Sequence, residues 1–311
     1  MALHNHPRIS AATRRRIQEL AALYQYQPPM SHALISERCG TIGCILPAIN
    51  SSFYSRVLEG ILSRAFTASY HVVILTTYSN IDRSVLAITA LVEQHVDGLL
   101  ISSGHFSPLP AEVLLDIASR NIPTVCIDIT PTARPLDHVL PNEERLSHLA
   151  VEYLYHLGHR RLAFVANTEA NPRRMYFTKA AQQFGLTAQF VLQDFSGNED
   201  ALTAVLQQSD VPTAIFCYSD NLGALVLRHA IRQGLKVPRD LSVLGCGNHL
   251  LGQYTEPMLT TIEQYPEDIG RRGLELLLQR ITMVENHTVF IPETLMVEPE
   301  LVIRHSCCPP R

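Results

Sequence analysis

The 311-residue chain carries 25 Lys and Arg against 29 Asp and Glu, a net charge of −4, and 46% of its residues are apolar. This length suggests two domains or one large α/β unit, and it excludes a small protein held together by disulfides. The composition is too apolar for a disordered chain, and the net charge excludes a protein that is basic throughout.

Charge is distributed unevenly along the chain. The first 38 residues carry two glutamates against five arginines, which are Arg8, Arg14, Arg15, Arg16 and Arg38. A segment of charge +3 therefore precedes a body of charge −7. This asymmetry indicates either a polyanion contact at one end or a solvated helix, and charge alone favours the solvated helix.

A short basic helix is predicted in this segment. Ser10 is a good N-cap residue, and the apolar residues after it recur at helical spacing, at Ile17, Leu20, Ala21 and Tyr24. Pro28 and Pro29 end the helix, and a brief second helix fits 30–38. Two such helices cannot enclose a core, so we expect this head to be part of a domain or to order on contact with a partner.

From residue 41 onward, apolar β-rich runs alternate with segments of helical period. The predicted strands are 41–49, 71–78, 96–103, 122–129, 161–167, 188–195, 213–220 and 241–247. The predicted helices are 53–68, 82–95, 110–120, 143–157, 173–185, 198–208, 220–233 and 266–283. Near-continuous apolar strands are typical of parallel sheets covered on both faces.

This alternation predicts an α/β fold with two doubly wound parallel-sheet subdomains. A single barrel of eight units also fits the count, but the proline-rich segment 128–143 divides the units four and four. A cleft between two such subdomains is the expected ligand site.

Several side chains are expected at this cleft. Asp128, Asp194 and Asp220 each follow a predicted strand, at the carboxyl end where open α/β sheets bind ligands. Helix capping is the alternative interpretation, and it is favoured for Asp220. An arginine at the start of a helix opposes the helix dipole, so one of Arg173 and Arg174 is expected to contact a ligand.

Aromatic residues accompany these carboxylates. Phe53 and Tyr54 open the helix after the first strand, and Phe195 stands next to Asp194. Aromatic faces beside polar groups suit a small polar ring such as a sugar or a nucleoside. Core packing is the alternative interpretation for both Phe53 and Tyr54.

Other chemistry has weak support. The sequence contains no nucleophile elbow and no phosphate-binding loop. The glycines of 245–252 are poorly spaced for a dinucleotide, and His156 and His159 lack further metal ligands. We therefore expect no metal, no cofactor and no enzymatic activity. With neither a signal peptide nor a membrane span, and with an odd number of cysteines, a cytoplasmic location is expected.

In order from about residue 5 to residue 304, the chain resembles the LacI-type family of bacterial transcription regulators. The stretches that carry the resemblance include HPRISAATRRRI, TIGCILPAINSSFYSRVLEGI, VDGLLIS, IPTVCID, YLYHLGHRRLAFV and PTAIFCYSDNLGALVLRHAIRQGLKVPRDLSVLGCGN. The resemblance implies a repressor with a helix-turn-helix head, a hinge helix, a core like that of periplasmic sugar-binding proteins, and a homodimer. A small effector in the cleft then alters affinity for operator DNA.

The resemblance also assigns site residues and domains. The effector contacts would be Phe53, Tyr54, Asp128, Arg173, Phe195, Asp220 and Asn248. The DNA contacts would be Arg8, Arg14, Arg15 and Leu34, the last in the minor groove. The expected domains are 1–38 (partial head and hinge), 39–141 with 265–290 (N-terminal subdomain), and 142–264 with 291–306 (C-terminal subdomain).

The chain departs from the family pattern in four places. The residues GCGN at 245–248 stand where the family typically has G-F-D-D, so Gly247 replaces a ligand-binding carboxylate. Tyr176 replaces a glycine, and Pro141 replaces an aspartate. The resemblance begins at the third helix of the head, so we expect the first two DNA-reading helices to be absent from this sequence.

The sequence leaves the effector open among sugars, sugar derivatives and nucleosides. The principal alternative is a cytosolic small-molecule sensor that has the same core and no longer binds DNA. An enzyme is a weaker alternative, because only analogy between folds supports it.

Overall fold

The structure, a computed structural model, describes residues 10–23, 38–102, 109–128, 136–168, 171–194 and 199–311. The chain divides into two compact units, Met1–Cys39 and Gly40–Arg311, and each is described by itself. No helix within these described ranges is long and apolar enough to cross a membrane.

The described part of the first unit contains the predicted basic helix, α1 (Ala11–Leu23). The amide of Thr13 donates a hydrogen bond of 3.2 Å to Oγ of Ser10, which satisfies one of the free donors at the helix start. Arg15 is exposed and pairs with Glu19 one turn later, at 3.2 Å.

The second unit alternates strands and helices along most of its length. Its described strands are β1 (Thr41–Leu46), β2 (His71–Thr76), β3 (Gly98–Ile101), β4 (Thr124–Ile127), β5 (Asp137–Pro141), β6 (Arg161–Ala166), β7 (Thr187–Leu192), β8 (Ala214–Cys217), β9 (Ser242–Leu244), β10 (Thr261–Glu263), β11 (Thr294–Val297) and β12 (Glu300–Val302). Its described helices are α2 (Ser52–Thr67), α3 (Ile81–Glu93), α4 (Ala111–Ser119), α5 (Glu143–His156), α6 (Pro172–Gln183), α7 (Asp200–Leu206), α8 (Asp220–Arg232), α9 (Leu250–Gln253) and α10 (Pro266–Glu285).

The strands form two open parallel sheets. The first has the spatial order β11-β5-β4-β3-β1-β2 and the second the order β7-β6-β8-β9, while β10 and β12 form a short antiparallel pair. The first sheet with its packed helices α2, α3, α4 and α10 is called the first lobe, and the second sheet with α5–α8 the second lobe. This arrangement confirms the predicted fold class and excludes the single barrel.

Two parts of the sheet arrangement correct the sequence analysis. The proline-rich segment that interrupts the rhythm contains a strand, β5, which pairs with β4. The segment 291–306 was assigned to the C-terminal subdomain, but Thr294–Val297 pairs with Asp137–Pro141 at the edge of the first sheet. The chain thus leaves the first lobe later than predicted, and the sequence missed this because an edge strand this short has little apolar pattern.

The central strands of each sheet are buried on both faces, as their apolar sequences predict. In the second lobe, Phe164 lies at the centre of an aromatic cluster, with ring centroids 5.4 Å from both Phe177 and Phe216. All three rings are fully or almost fully buried. This packing anchors α6, whose first turn enters the candidate site.

Two glycines bring α2 and α10 of the first lobe into close contact. A Cβ atom on Gly60 would lie 2.0 Å from the carbonyl oxygen of Glu267, and one on Gly270 would lie 2.0 Å from that of Val57. The backbones can therefore approach this closely only without side chains at these positions. The contact fixes α2, whose N-terminal residues line the cleft.

Candidate functional site

A cavity of about 220 Å³ lies between the two lobes, at the carboxyl ends of the parallel strands. This is where open α/β sheets bind ligands, because helix N-termini and strand-end loops converge there. The described residues that line the cavity are Ser51, Ser52, Phe53, Tyr54, Asp128, Glu143, Asn167, Arg173, Tyr218, Ser219, Asn221, Cys246, His249 and Gln264.

The structure brings together four of the predicted effector contacts. Phe53 and Tyr54 lie in the first turn of α2, with their rings edge to face and their centroids 5.2 Å apart. Asp128 directly follows β4, and Arg173 lies in the first turn of α6. Their presence in one cavity is consistent with a ligand site, while the contacts themselves stay predictions.

Arg173 is held mainly by one carboxylate. Its Nε and Nη2 donate two hydrogen bonds of 2.6 Å to Glu143, and its Nη1 donates to the carbonyl oxygen of Tyr218 at 2.7 Å and to Sγ of Cys246 at 3.2 Å. Only 3% of the Arg173 side chain is exposed, against 22% for Glu143. A buried charge requires such a partner, and the paired geometry fixes the guanidinium plane.

Asp128 has an unusual environment. Its carboxylate accepts a hydrogen bond of 2.6 Å from the hydroxyl of Tyr54. The pKa of Asp128 is raised to about 7, mainly because the carboxyl group is removed from water; Glu143 contributes to the rise, while Tyr54 and Arg173 oppose it. The backbone of Asp128 is left-handed, with φ of 72°, a conformation that non-glycine residues adopt rarely and often at functional sites.

Hydrogen bonds between described residues cross the cleft. A ring nitrogen of His249, from the loop after β9, lies 2.8 Å from Oγ of Ser52 in the first lobe. Nearby, Nη1 of Arg56 on α2 donates to the carbonyl oxygen of Gly247 at 2.9 Å. Burial lowers the pKa of His249, so its ring is neutral at pH 7. These contacts depend on the separation of the lobes.

Asp220 does not line the cavity, which corrects its predicted role as an effector contact. It is fully buried and accepts hydrogen bonds from the hydroxyl of Thr261 at 2.5 Å and from the amide of His249 at 2.6 Å. A Cβ on Gly245 would lie 2.2 Å from its Oδ1, so a glycine there makes room for the carboxylate. Asp220 therefore fixes the loop that carries His249 and does not face a ligand.

Asn248 is also outside the cavity lining, contrary to its predicted role. Its amide nitrogen donates to Glu263 at 2.9 Å, and its amide oxygen accepts from Nη2 of Arg304 at 2.5 Å. Both ends of the side chain are thus used within the protein. Where the family pattern has a carboxylate directed at the ligand, this chain has Gly247, and the neighbouring Asn248 stabilises the loop.

The remaining predicted contacts cannot be placed in the fold. Phe195, Arg8 and Leu34 lie outside the described residues, as does the side chain of Arg14. Arg15 is described, and its side chain is 84% exposed.

Three cavity residues were missed by the sequence analysis. Glu143 begins the predicted helix 143–157, where a carboxylate is ordinarily explained by its favourable interaction with the helix dipole. Tyr218 precedes Asp220 in a predicted strand end, so the carboxylate drew attention from the ring beside it. His249 stands in a glycine-containing loop, where a histidine has no characteristic spacing; its place after a strand end was the one available signal.

The site suits recognition of a small polar molecule by hydrogen bonds and ring contacts. It combines carboxylates, hydroxyls, amides and aromatic rings within one partly enclosed cavity. In the residues for which the structure gives positions, no group of three His, Cys, Asp or Glu side chains could hold a metal ion.

Comparison with known proteins gives consistent matches. The model of the periplasmic binding protein-like domain matches residues 151–307. The chain is 31% identical to the HTH-type transcriptional repressor CytR of Escherichia coli over 98% of this chain and 90% of that protein. It is 29% identical to the ribose operon repressor of Haemophilus influenzae over 96% of this chain and 90% of that protein.

Solved structures show the same fold. A LacI family transcriptional regulator from Enterococcus faecalis with bound ribose superposes with a TM-score of 0.75 at 25% identity, covering 86% of this chain and 99% of that chain. The complex of the transcriptional regulator CelR with cellobiose has a TM-score of 0.74 at 22% identity and covers 98% of this chain and 94% of that chain.

Proposed function

Because the chain belongs to the LacI-type family of bacterial transcription regulators, we propose that its interlobe cavity binds the effector that controls operator binding. The observation that carries this proposal is the cavity itself, in which Arg173, Asp128 and Tyr54 converge between the lobes. The protein is a ligand-responsive, DNA-binding transcription regulator, and no catalytic role is proposed for it.

The contacts across the cleft supply the coupling. An effector changes an equilibrium only by binding one conformation more tightly than another. The hydrogen bond between Ser52 and His249 and that between Arg56 and Gly247 form only when the lobes are close. A ligand that contacts both lobes from within the cavity therefore favours the arrangement in which the lobes are close together.

The basic head supplies the DNA contact. α1 carries Arg14, Arg15 and Arg16 in its first two turns, and such side chains neutralise phosphates and make binding sensitive to salt. Repressors of this family act as homodimers on operator DNA, so the same assembly and a cytoplasmic location are proposed here. The ribose operon repressor and CytR are named for repression, which favours a repressor over an activator.

A thermal-shift screen tests the site. Sugars, sugar derivatives and nucleosides are added singly to the protein, and a true effector raises Tm by mass action. The Arg173→Ala variant should lose this shift. The matched control is Arg174→Ala, because Arg174 is the adjacent residue on α6 but is exposed and stacks on Phe190.

Loss of the shift could also reflect an unfolded variant, so Tyr54→Phe is tested as well. It removes only the hydroxyl that donates to Asp128. We expect weaker ligand stabilisation in Tyr54→Phe and full stabilisation in Arg174→Ala. Equal ligand stabilisation of wild type, Arg173→Ala and Tyr54→Phe would contradict the proposed site.

The second candidate function is a sensor of the same core that does not bind DNA. It shares the cavity and differs in the head alone. A gel shift distinguishes the regulator from the sensor, and it is carried out with the protein as its own gene encodes it. Only the regulator retards promoter DNA specifically in the presence of competitor DNA.

A further inference from the structure

We propose that Glu143 is a specificity-determining residue that makes the cleft select uncharged effectors and reject their phosphate esters. This inference rests on the proposed effector site. It concerns which ligands that site accepts, and it follows from the pairing of Arg173 with Glu143.

Glu143 occupies the guanidinium that would otherwise hold a phosphate. An arginine has five N–H donors. Two go to Glu143, one to the carbonyl oxygen of Tyr218 and one to Sγ of Cys246, which leaves one on Nη2. A phosphate is recognised by arginine through paired N–H groups, and here that paired edge faces Glu143.

The exposed fractions agree with this assignment. The side chain of Arg173 is 3% exposed and that of Glu143 is 22% exposed. A ligand in the cavity therefore meets the carboxylate more readily than the guanidinium. The charges of the pair cancel, so Arg173 presents no net positive field to an incoming anion.

The other charged group in the cavity adds to the discrimination. Asp128 is the remaining acid among the described lining residues, and Arg173 is the one permanent cation among them. A phosphate monoester carries about −1.5 to −2 charges at pH 7. Among the described lining residues no Lys or Arg outside the Arg173–Glu143 pair is present to hold it, so its transfer from water into the cavity is costly. A cation gains little from Glu143, because Arg173 already neutralises that carboxylate and repels the cation. An uncharged molecule with hydroxyl groups can donate hydrogen bonds to the carboxylates of both Glu143 and Asp128.

Binding of matched pairs tests this directly. Ribose is compared with ribose 5-phosphate, and a nucleoside with its 5′-monophosphate, by calorimetry and thermal shift. For whichever parent compound binds, the phosphate ester should have a Kd at least about tenfold higher. A 2-amino-2-deoxy sugar is the cationic probe and should bind no more tightly than its neutral parent.

The Glu143→Gln variant tests the role of the residue. It removes one negative charge and frees donors of Arg173. The gap, which is the ratio of the Kd of the phosphate ester to that of its parent, should therefore narrow about tenfold or reverse. The matched control is Glu144→Gln. Glu144 is the next residue on α5, pairs with Lys179 at 2.6 Å and does not line the cavity, so this variant should keep the wild-type gap.

A variant that does not touch Arg173 covers the case in which Glu143→Gln fails to fold. Asp128→Asn removes the second carboxylate while keeping an acceptor for the Tyr54 hydroxyl, and it should also narrow the gap. If a folded Glu143→Gln leaves the gap unchanged, the inference is wrong; if Glu143→Gln does not fold, an unchanged gap in Asp128→Asn contradicts it.

The outcomes separate this inference from the proposed function. If the phosphate ester or the amino sugar binds the wild type more tightly than the parent, and binding needs Tyr54, the inference fails while the effector site stands. If the gap in Glu143→Gln equals that in Glu144→Gln, Glu143 does not set specificity. If no compound of the full screen binds the cleft, the proposed function itself fails.

Discussion

The guanidinium of Arg173 meets the carboxylate of Glu143 through two hydrogen bonds of 2.6 Å, between the first turns of α6 and α5. A second ion pair, Lys179 to Glu144, links the same two helices at 2.6 Å. The two pairs differ in burial, since Lys179 and Glu144 are both more than half exposed. The chain thus contains a buried and an exposed pair in otherwise similar positions.

This contrast predicts unequal effects on stability. Arg173→Met leaves the Glu143 carboxylate without its partner in a partly enclosed site and should lower the free energy of unfolding by about 3 kcal/mol or more. Lys179→Met removes an exposed pair and should lower the free energy of unfolding far less, because solvent screens its charges. Urea unfolding followed by circular dichroism measures both. Equal losses would show that burial of the first pair contributes nothing.

Stability should depend on pH through Asp128. The pKa of this carboxyl is about 7 in the folded protein, above its ordinary value of 3.8, because burial penalises the charged form. The protonated carboxyl of Asp128 is therefore the form that the folded protein favours. Its contribution to the free energy of unfolding is fully present below about pH 4 and is lost as pH rises through 7. Glu143, Arg173 and Tyr54 are the groups that interact with it.

The Asp128→Asn variant isolates this effect. Asparagine cannot ionise, so the variant should become more stable relative to the wild type as pH rises from 5 to 8, by about 2–4 kcal/mol. Urea unfolding at pH 5, 6, 7 and 8 gives the two curves. Parallel curves over this range would mean that Asp128 is not buried enough to shift its pKa.

The hydrogen bond between Ser52 and His249 should contribute to effector affinity. It joins the two lobes at 2.8 Å, and a single hydrogen bond is worth about 0.5–1.5 kcal/mol. Ser52→Ala should therefore raise the Kd for the effector about three- to tenfold. Ser55→Ala is the control, because the exposed hydroxyl of Ser55 donates only to the carbonyl of Ser52. An unchanged Kd in Ser52→Ala would remove this contact from the closing mechanism.

The close packing of α2 against α10 makes a further prediction. A Cβ on Gly60 would lie 2.0 Å from the carbonyl oxygen of Glu267, and backbone cannot move aside as a side chain can. Gly60→Ala should destabilise the protein by about 3 kcal/mol, near the upper end for overpacking. Ser63→Ala, at an exposed position of the same helix, should change stability by less than about 0.5 kcal/mol. A Gly60→Ala protein as stable as the wild type would contradict the packing.

The repeating part of the fold could be predicted from sequence because its physical signal is strong. Strands buried on both faces, such as β1 and β6, are continuous apolar runs, and the helices between them have a clear period. Strands β10, β11 and β12 have three or four residues each. Such short segments have too few positions to show a period, so their pairing is decided by tertiary contacts.

The site was predictable in part for a related reason. Asp128 and Arg173 have positions that are unusual for their chemistry, one after a strand and the other at a helix start, and this made them stand out. Asp220, like Asp128, stands near the carboxyl end of a parallel strand. Its side chain nevertheless points into the protein, where Gly245 leaves space for it. Which way a strand-end carboxylate faces depends on residues far away in the chain. Glu143 was missed for the same reason, because its importance comes from Arg173.

The central claim is that a ligand in the interlobe cavity changes the protein's affinity for operator DNA. The most direct measurement is a fluorescence-anisotropy titration of promoter DNA with the protein as its own gene encodes it, with and without the ligand that raises Tm. Allosteric coupling predicts at least about a fivefold change in Kd for DNA, and this change should be smaller in Tyr54→Phe at the same sub-saturating ligand concentration. Specific DNA binding that is identical with and without saturating ligand would contradict the account.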